Sequence, residues 1–301
     1  MNAPTERVST MQANRGTIFV EDATVLNVDA FPRNQYVLRL KAPKCANSAT
    51  PGSFVHLQCD ESIPMRRPLS IMRADPDDGW IEVLFKTVGH GLDALGHRRP
   101  GDLVSSIGPI GCGFIPHPER PISLLIGGGV GIPPMIFLAE HLKNDSGDWR
   151  PLVIMGSEIP FPFEQQESAI KTPWIAGDVA STMALLESWG IPARLASLSD
   201  FSGTYRGYVT ELARKWLQSL SQHELTQVEV FSCGPTPMLK AVAAMAREFN
   251  LPCQISLEEF MACAVGGCAG CTVLVQTENG PAMKRVCVDG PVFNADAVYP
   301  E

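Results

Sequence analysis

The chain has 301 residues, 45% of them hydrophobic and 19% charged, and carries a formal net charge of −8. That is a globular composition, long enough for two or three domains. The negative balance excludes a protein that works by neutralising nucleic-acid phosphates, and no apolar run reaches the ~18 residues a membrane span needs.

Residues 1–17 are predicted to be a flexible tail. MNAPTERVSTMQANRG is polar, mixed in charge and without the apolar core of a signal peptide, so a cytoplasmic protein is expected. Across 18–118, TIFVEDATVLNV, YVLRLKAP, GSFVHLQC, PLSIMRA and WIEVLFKTV are short alternating or apolar runs parted by Gly, Pro and Asp. They predict an antiparallel sheet or barrel, with one short helix at GLDALGHR. From 119 to 250 the rhythm changes. ISLLIGGG, PLVIMGS and VEVFSC read as buried strands, and PPMIFLAEHLKN, TELARKWLQSLS and TPMLKAVAAMAREF as helices. This alternation predicts a doubly wound parallel sheet. Residues 251–301 contain a cysteine run and little periodicity.

That run, MACAVGGCAGCTV, places Cys263, Cys268 and Cys271 in one tight loop, with Cys287 farther on. Structural zinc sites draw on separate cysteine pairs, whereas C-x4-C-x2-C with a distant fourth thiol is the plant-type [2Fe–2S] spacing. A zinc knuckle is the competing reading. Gly266, Gly267 and Gly270 between the thiols are expected to let backbone N–H groups approach the sulfur atoms. The other five cysteines, Cys45, Cys59, Cys112, Cys233 and Cys253, are scattered, and most of them are expected to be buried small hydrophobes. Cys233 also belongs to a loop motif.

Two strand–helix junctions are candidate nucleotide cradles. LLIGGGVGIPPMIF brings Gly128, Gly129, Val130 and Gly131 to a helix opened by Pro133 and Pro134. FSCGPTPM repeats the arrangement at Cys233, Gly234 and Pro235. Ligands of open parallel sheets sit beyond the strands' carboxyl ends, so the two loops are expected to face one ligand, with Cys233 at the site rather than in the core. A plain tight turn is the alternative. In the barrel region Arg67 and Ser70 of MRRPLSIMR can serve a phosphate, and Gly89 and Gly91 precede the short helix. GPIGCGF (108–114) is a third glycine-rich turn.

Taken in order, Arg67–Ser70, G-x-G at 89–91, GPIGCGF, GGGVGIPP and CGP resemble the ferredoxin–NADP reductase superfamily. SLEEFMACAVGGCAGCTV followed by RVCVDGPVF resembles, more narrowly, the electron-transfer subunit of type B dihydroorotate dehydrogenase. The resemblance implies an FAD-binding β-barrel (18–118), an NAD-binding α/β domain (119–250) and a [2Fe–2S] cluster domain (251–301). It places Arg67, Pro68, Leu69, Ser70, Leu84, Phe85, Lys86, Gly91 and Leu92 along the FAD. Gly128, Gly129, Val130, Gly131, Cys233, Gly234 and Pro235 fall on the nicotinamide nucleotide, and the four cysteines on the cluster. Leu92, Cys112, the cluster loop CAVGGCAGC and GSEIP (156–160) depart from the family's usual residues. Glu158 favours NAD over a 2′-phosphorylated nucleotide.

Nicotinamide exchanges two electrons as hydride and the cluster one, so FAD is expected between them, with no residue assigned as general acid or base. No segment resembles a substrate barrel of about 250 residues. The resemblance names the partner as an FMN-bearing dihydroorotate dehydrogenase subunit of pyrimidine biosynthesis, in a heterotetramer. Alternatives are a reductase serving a hydrogenase, a glutamate-synthase-like subunit or an oxygenase and, in another class, a non-catalytic zinc-bound scaffold.

Overall fold

A computed structural model describes residues 16–300; the tail expected at 1–17 lies, but for its last two residues, outside them. Six strands close an antiparallel barrel: β1 (Phe19–Phe31), β2 (Gln35–Lys41), β3 (Phe54–Leu57), β4 (Arg67–Asp75), β5 (Trp80–Lys86) and β6 (Leu103–Ile110). Their order is β1-β2-β5-β4-β3-β6, with β6 pairing back onto β1. Successive side chains of a strand point to opposite faces. Leu38, Leu40, Val55, Leu57, Ile71, Ile81 and Val83 therefore fill the interior and exclude solvent. The helix predicted at GLDALGHR runs from Gly89 to Gly96, so both glycines lie in its first turn rather than ahead of it.

The chain then builds a mainly parallel sheet from β7 (Ile122–Gly128) and β8 (Arg150–Gly156). A small hairpin of β9 (Gln165–Glu167) and β10 (Ser181–Met183) interrupts it. It resumes with β11 (Ala193–Ser197), β12 (Tyr205–Arg206), β13 (Val228–Cys233) and β14 (Cys253–Ser256). The last segment adds a hairpin of β15 (Thr272–Thr277) and β16 (Gly280–Arg285), then β17 (Val292–Asn294), which joins the sheet antiparallel to β14. The sheet order is β12-β11-β8-β7-β13-β14-β17.

Both faces of this sheet are covered, which explains why its strands read as continuous apolar runs. Leu124, Ile126 and Ile154 pack against the helices Val209–Ser219 and Thr236–Glu248. Leu125, Val153 and Phe231 pack against the helix Ile132–Asn144. The order of the strands reverses between β7 and β13, so the two glycine loops leave the sheet side by side at its switch point. Arg73 of β4 clamps barrel to sheet. Its guanidinium donates to Glu140 at 2.7 Å, lies 3.7 Å from Glu82, and stacks over Trp189 at 5.4 Å. Among the described residues no helix is long and apolar enough to cross a membrane.

Candidate functional site

A cleft of about 1210 Å³ opens where barrel, sheet and C-terminal segment meet. The barrel wall is Arg66–Ser70 from the start of β4, Leu84–Lys86 from β5, and Leu92 of the short helix. Val130 and Thr236 come from the two glycine loops. The third wall is Ser256–Ala262, with Gly270 and Pro291. Nine of the predicted residues line this cleft: Arg67, Pro68, Leu69, Ser70, Leu84, Phe85, Lys86, Leu92 and Val130.

Gly91 stands behind the wall, and its role is steric. A Cβ there would lie 3.2 Å from Nη2 of Arg67, so the missing side chain leaves room for the guanidinium. Arg67 itself donates to the carbonyls of Met65 and Arg66 at 2.9 and 3.2 Å, and no carboxylate among the described residues pairs with it. An unpaired planar cation on an otherwise largely apolar wall suits a diphosphate.

The two glycine loops touch. A Cβ on Gly131 would collide with the carbonyl group of Cys233 and come within 2.5 Å of the Gly234 nitrogen. A Cβ on Gly128 would collide with the Met238 thioether and lie 3.5 Å from Pro235, so its absence leaves that space open. Gly129 adopts φ +55, and a Cβ added there would meet nothing within 4 Å outside its chain neighbours. Gly128, Gly129, Gly131, Cys233, Gly234 and Pro235 are thus brought together, as expected. The thiol of Cys233 is the correction. It was expected at the site, but the Cys233 side chain is fully buried in the sheet core, and only its backbone borders the neighbouring loop. Burial, reinforced by the nearby Glu258 carboxyl, pushes this thiol well above the ordinary range. Alternation along β13 sets this outcome, because Cys233 shares a sheet face with Phe231.

The four cysteines of the run converge as two pairs. The N–H of Cys268 donates to Sγ of Cys263 at 3.4 Å, and the Cys271 and Cys287 sulfurs are 3.3 Å apart. Backbone N–H groups reach the sulfurs, as the glycines predict: Gly267 to Cys263, Gly270 to Cys268 at 3.4 Å, and Gly266 to Cys287. Despite some burial, this backbone cage draws the Cys263 thiol down to about 7. Cys287 moves the other way, to about 12, because burial dominates and the Cys271 thiol adds to it. Ala264 and Ala269, each just after a cysteine, hold left-handed backbones at φ 57 and 53. That conformation is strained for a residue with a Cβ and concentrates at functional sites. Among the described residues no three His, Cys, Asp or Glu groups converge on a single ion. Two thiol pairs under a canopy of N–H groups suit a two-iron cluster, with one pair for each iron.

Sequence reasoning missed three features. Gly270, inside the cysteine loop, is itself a wall of the cleft. Glu258 faces that cleft from two residues past β14. His56 of β3 lies behind the wall, 1% exposed, beside the backbone of Arg66 and Met261, with neither ring nitrogen in a hydrogen bond. A carboxylate just past a strand end, in SLEEFM, was the available signal for Glu258. Nothing local marked His56.

A six-stranded barrel joined to a doubly wound sheet, with a cleft at the switch point, is the fold of the ferredoxin reductases. An NADH-dependent reduced ferredoxin–NADP oxidoreductase superposes with a TM-score of 0.73 at 24% identity, over 92% of this chain and 90% of that one. The ferredoxin reductase of carbazole 1,9a-dioxygenase gives 0.57 at 22% identity, over 77% of this chain and 65% of that one. The family model for the iron–sulfur cluster binding domain of dihydroorotate dehydrogenase B matches residues 258–299. The electron transfer subunit of dihydroorotate dehydrogenase B (NAD(+)) from Desulforamulus reducens is 32% identical over 286 residues, 91% of this chain and 96% of the relative. That of Geobacillus thermodenitrificans is 32% identical over 283 residues, 92% and 98% of the two chains. This chain belongs to the family of dihydroorotate dehydrogenase B electron transfer subunits.

Proposed function

We propose that this chain carries electrons between NAD and the catalytic, FMN-bearing subunit of a dihydroorotate dehydrogenase in pyrimidine biosynthesis, through FAD and a [2Fe–2S] cluster. The observation that carries the reading is the shared cleft. Gly270, between two of the cluster thiols, borders the same space as Arg67 and Ser70 on the barrel and Val130 and Thr236 on the nucleotide loops. FAD, when bound, supplies the exchange between a hydride and single electrons that neither nicotinamide nor cluster performs alone.

The protein's part is to hold and to exclude. Arg67 and Ser70 take the diphosphate of FAD, and Pro68, Leu69, Leu84, Phe85, Lys86 and Leu92 flank the rest of it in the cleft. Gly91 keeps the Arg67 guanidinium in place. Gly128, Gly129, Val130 and Gly131, with the backbone of Cys233, Gly234 and Pro235, receive the nicotinamide nucleotide at two helix N-termini. Cys263, Cys268, Cys271 and Cys287 ligate the cluster. The boundaries that go with these roles are 18–118, 119–250 and 251–301. A reducing cytoplasm suits nine unpaired cysteines, and a heterotetramer with the catalytic subunit is the expected assembly.

Anaerobic purification and a visible spectrum test this. A flavin band with broad cluster absorption, bleached by NADH, is the expected result, and co-purification with a TIM-barrel flavoprotein is expected for the partner. A colourless protein that takes up neither cofactor on reconstitution refutes the relay.

A further inference from the structure

The barrel and the cluster segment meet behind the cleft, and one polar side chain stands at their junction. On β3, Val55 and Leu57 point into the barrel, so Phe54 and His56 point out of it. Phe54 enters the hydrophobic core that also holds Met261, Cys271 and Cys287 of the cluster segment. His56 follows it on the same face, beside the backbone of Arg66 on the barrel and of Met261, two residues before the first cluster cysteine. Each of those backbones favours the protonated ring, so each presents its carbonyl oxygen. The ring is sealed from water, and neither of its nitrogens has a hydrogen bond. Burial, followed by the Arg66 charge, holds it neutral, with one N–H to donate. A buried imidazole of this kind costs stability unless it closes on a partner, and an aliphatic residue would carry no such cost.

The Arg66 side is connected onward. The Arg66 carbonyl accepts from Nη1 of Arg67 at 3.2 Å. The Arg66 guanidinium is fastened to the barrel, donating to the Ser105 carbonyl at 2.7 Å, the Ser105 hydroxyl at 2.9 Å and the His56 carbonyl at 3.3 Å. A chain of neighbours thus runs from Met261 through the His56 ring and the Arg66 backbone to the Arg67 guanidinium. Met261, Arg66 and Arg67 all border the cleft.

Resting on the relay proposed above, we propose that His56 is a positioning residue that couples the cluster site to the flavin site. Its ring N–H closes the junction, so that ordering the cysteine loop also fixes the Arg66–Arg67 backbone that receives the diphosphate. Linkage makes the effect mutual: an occupied cluster site tightens FAD binding, and bound FAD tightens the hold on the cluster by the same factor. The coupling favours the fully loaded protein over either half-loaded form, and only the fully loaded protein can pass electrons through.

The test uses the whole chain under anaerobic conditions, with Cys287→Ser as the cluster-free form. FAD affinity is measured by equilibrium dialysis for the wild type, Cys287→Ser, His56→Phe and the double variant. In the wild type, loss of the cluster is expected to weaken FAD binding by on the order of 10-fold. In the His56→Phe background the same loss is expected to change it less than about 2-fold. His56→Gln, which keeps a donor and an acceptor, is expected to retain the coupling. The reciprocal readout is the cluster's EPR signal: removal of FAD is expected to change its line shape in the wild type and not in His56→Phe. A role confined to packing would weaken FAD binding equally with and without the cluster; an unchanged ratio in His56→Phe therefore overturns the assignment. So does a His56→Gln variant that behaves as His56→Phe. Should His56→Phe fail to fold, His56→Leu carries the same comparison, and equal FAD affinity in the wild type with and without its cluster overturns the coupling by itself. In those cases both cofactors still bind and the relay stands. A wild-type protein that binds neither FAD nor cluster removes the relay, and the assignment with it.

Discussion

Gly131→Ala isolates the contact between the two nucleotide loops. Gly131 has φ −86 and ψ 1, a conformation open to alanine, so any cost is steric and not conformational. The added Cβ would sit 2.5 Å from the Gly234 nitrogen and closer still to the Cys233 carbonyl, where ordinary contact begins at 3.4 Å. The loops must part by roughly 1 Å, and both are backbone pinned by strands, so no flexible side chain can yield. Overpacking of this kind costs about 1–3 kcal/mol. At roughly 2–4 °C per kcal/mol, the melting temperature should fall by several degrees. A displacement of about 1 Å at a positioning element can lower reduction by NADH by on the order of 10²-fold. Gly129→Ala in the same loop is the control. Its cost is the left-handed backbone, about 1–2 kcal/mol, with no neighbour to displace. Thermal unfolding and stopped-flow bleaching read both variants. If Gly131→Ala melts with the wild type and is reduced by NADH at the same rate, the close approach of the loops is not what shapes the nucleotide site.

Arg67→Gln removes a charged donor from the cleft, and FAD should bind about 1.5–3 kcal/mol more weakly, about 10- to 150-fold, by fluorescence titration; unchanged affinity would place the diphosphate elsewhere. Cys287→Ser should abolish the cluster's visible and EPR signals while leaving the flavin band. Cys112→Ser, whose thiol only donates to the Val288 carbonyl at 3.5 Å, should leave both; loss of the cluster in the second variant would redraw the ligand set. Burial, followed by the Arg66 charge, lowers His56 to about 4 against an ordinary 6.5. Between those values the unfolded chain binds a proton that the native ring refuses. His56 therefore stabilises nothing extra above pH 6.5 and costs stability as pH falls toward 4, by about 3 kcal/mol in total. Denaturant unfolding near neutral pH and near pH 4 should show that loss in the wild type and a smaller one in His56→Gln; equal losses would exonerate the ring.

Much of this protein was legible in its sequence because the signals are local. Spacing within one loop singles out Cys263, Cys268 and Cys271 as candidate ligands, since the C-x4-C-x2-C run keeps the three thiols in one short stretch. Alternation in TIFVEDATVLNV and WIEVLFKTV marks barrel strands, and unbroken apolar runs such as ISLLIGGG mark strands buried on both faces. Other features depend on what lies across space. LVSSIGPI carries two serines and a Gly-Pro and has no convincing period, yet it forms β6, because β1 on one edge and β3 on the other need a partner to close the barrel. CQIS is only four residues long and becomes β14 by pairing with β13 and β17. The sequence placed Cys233 at the loop but not which side of the strand its thiol would take, and packing against Phe231 decided that. Glu258 and His56 are ordinary residues in the linear chain. Their chemistry arises because three distant segments enclose one of them in a cleft and bury the other behind it. Desolvation is a property of the assembled neighbourhood, and no window of sequence contains it.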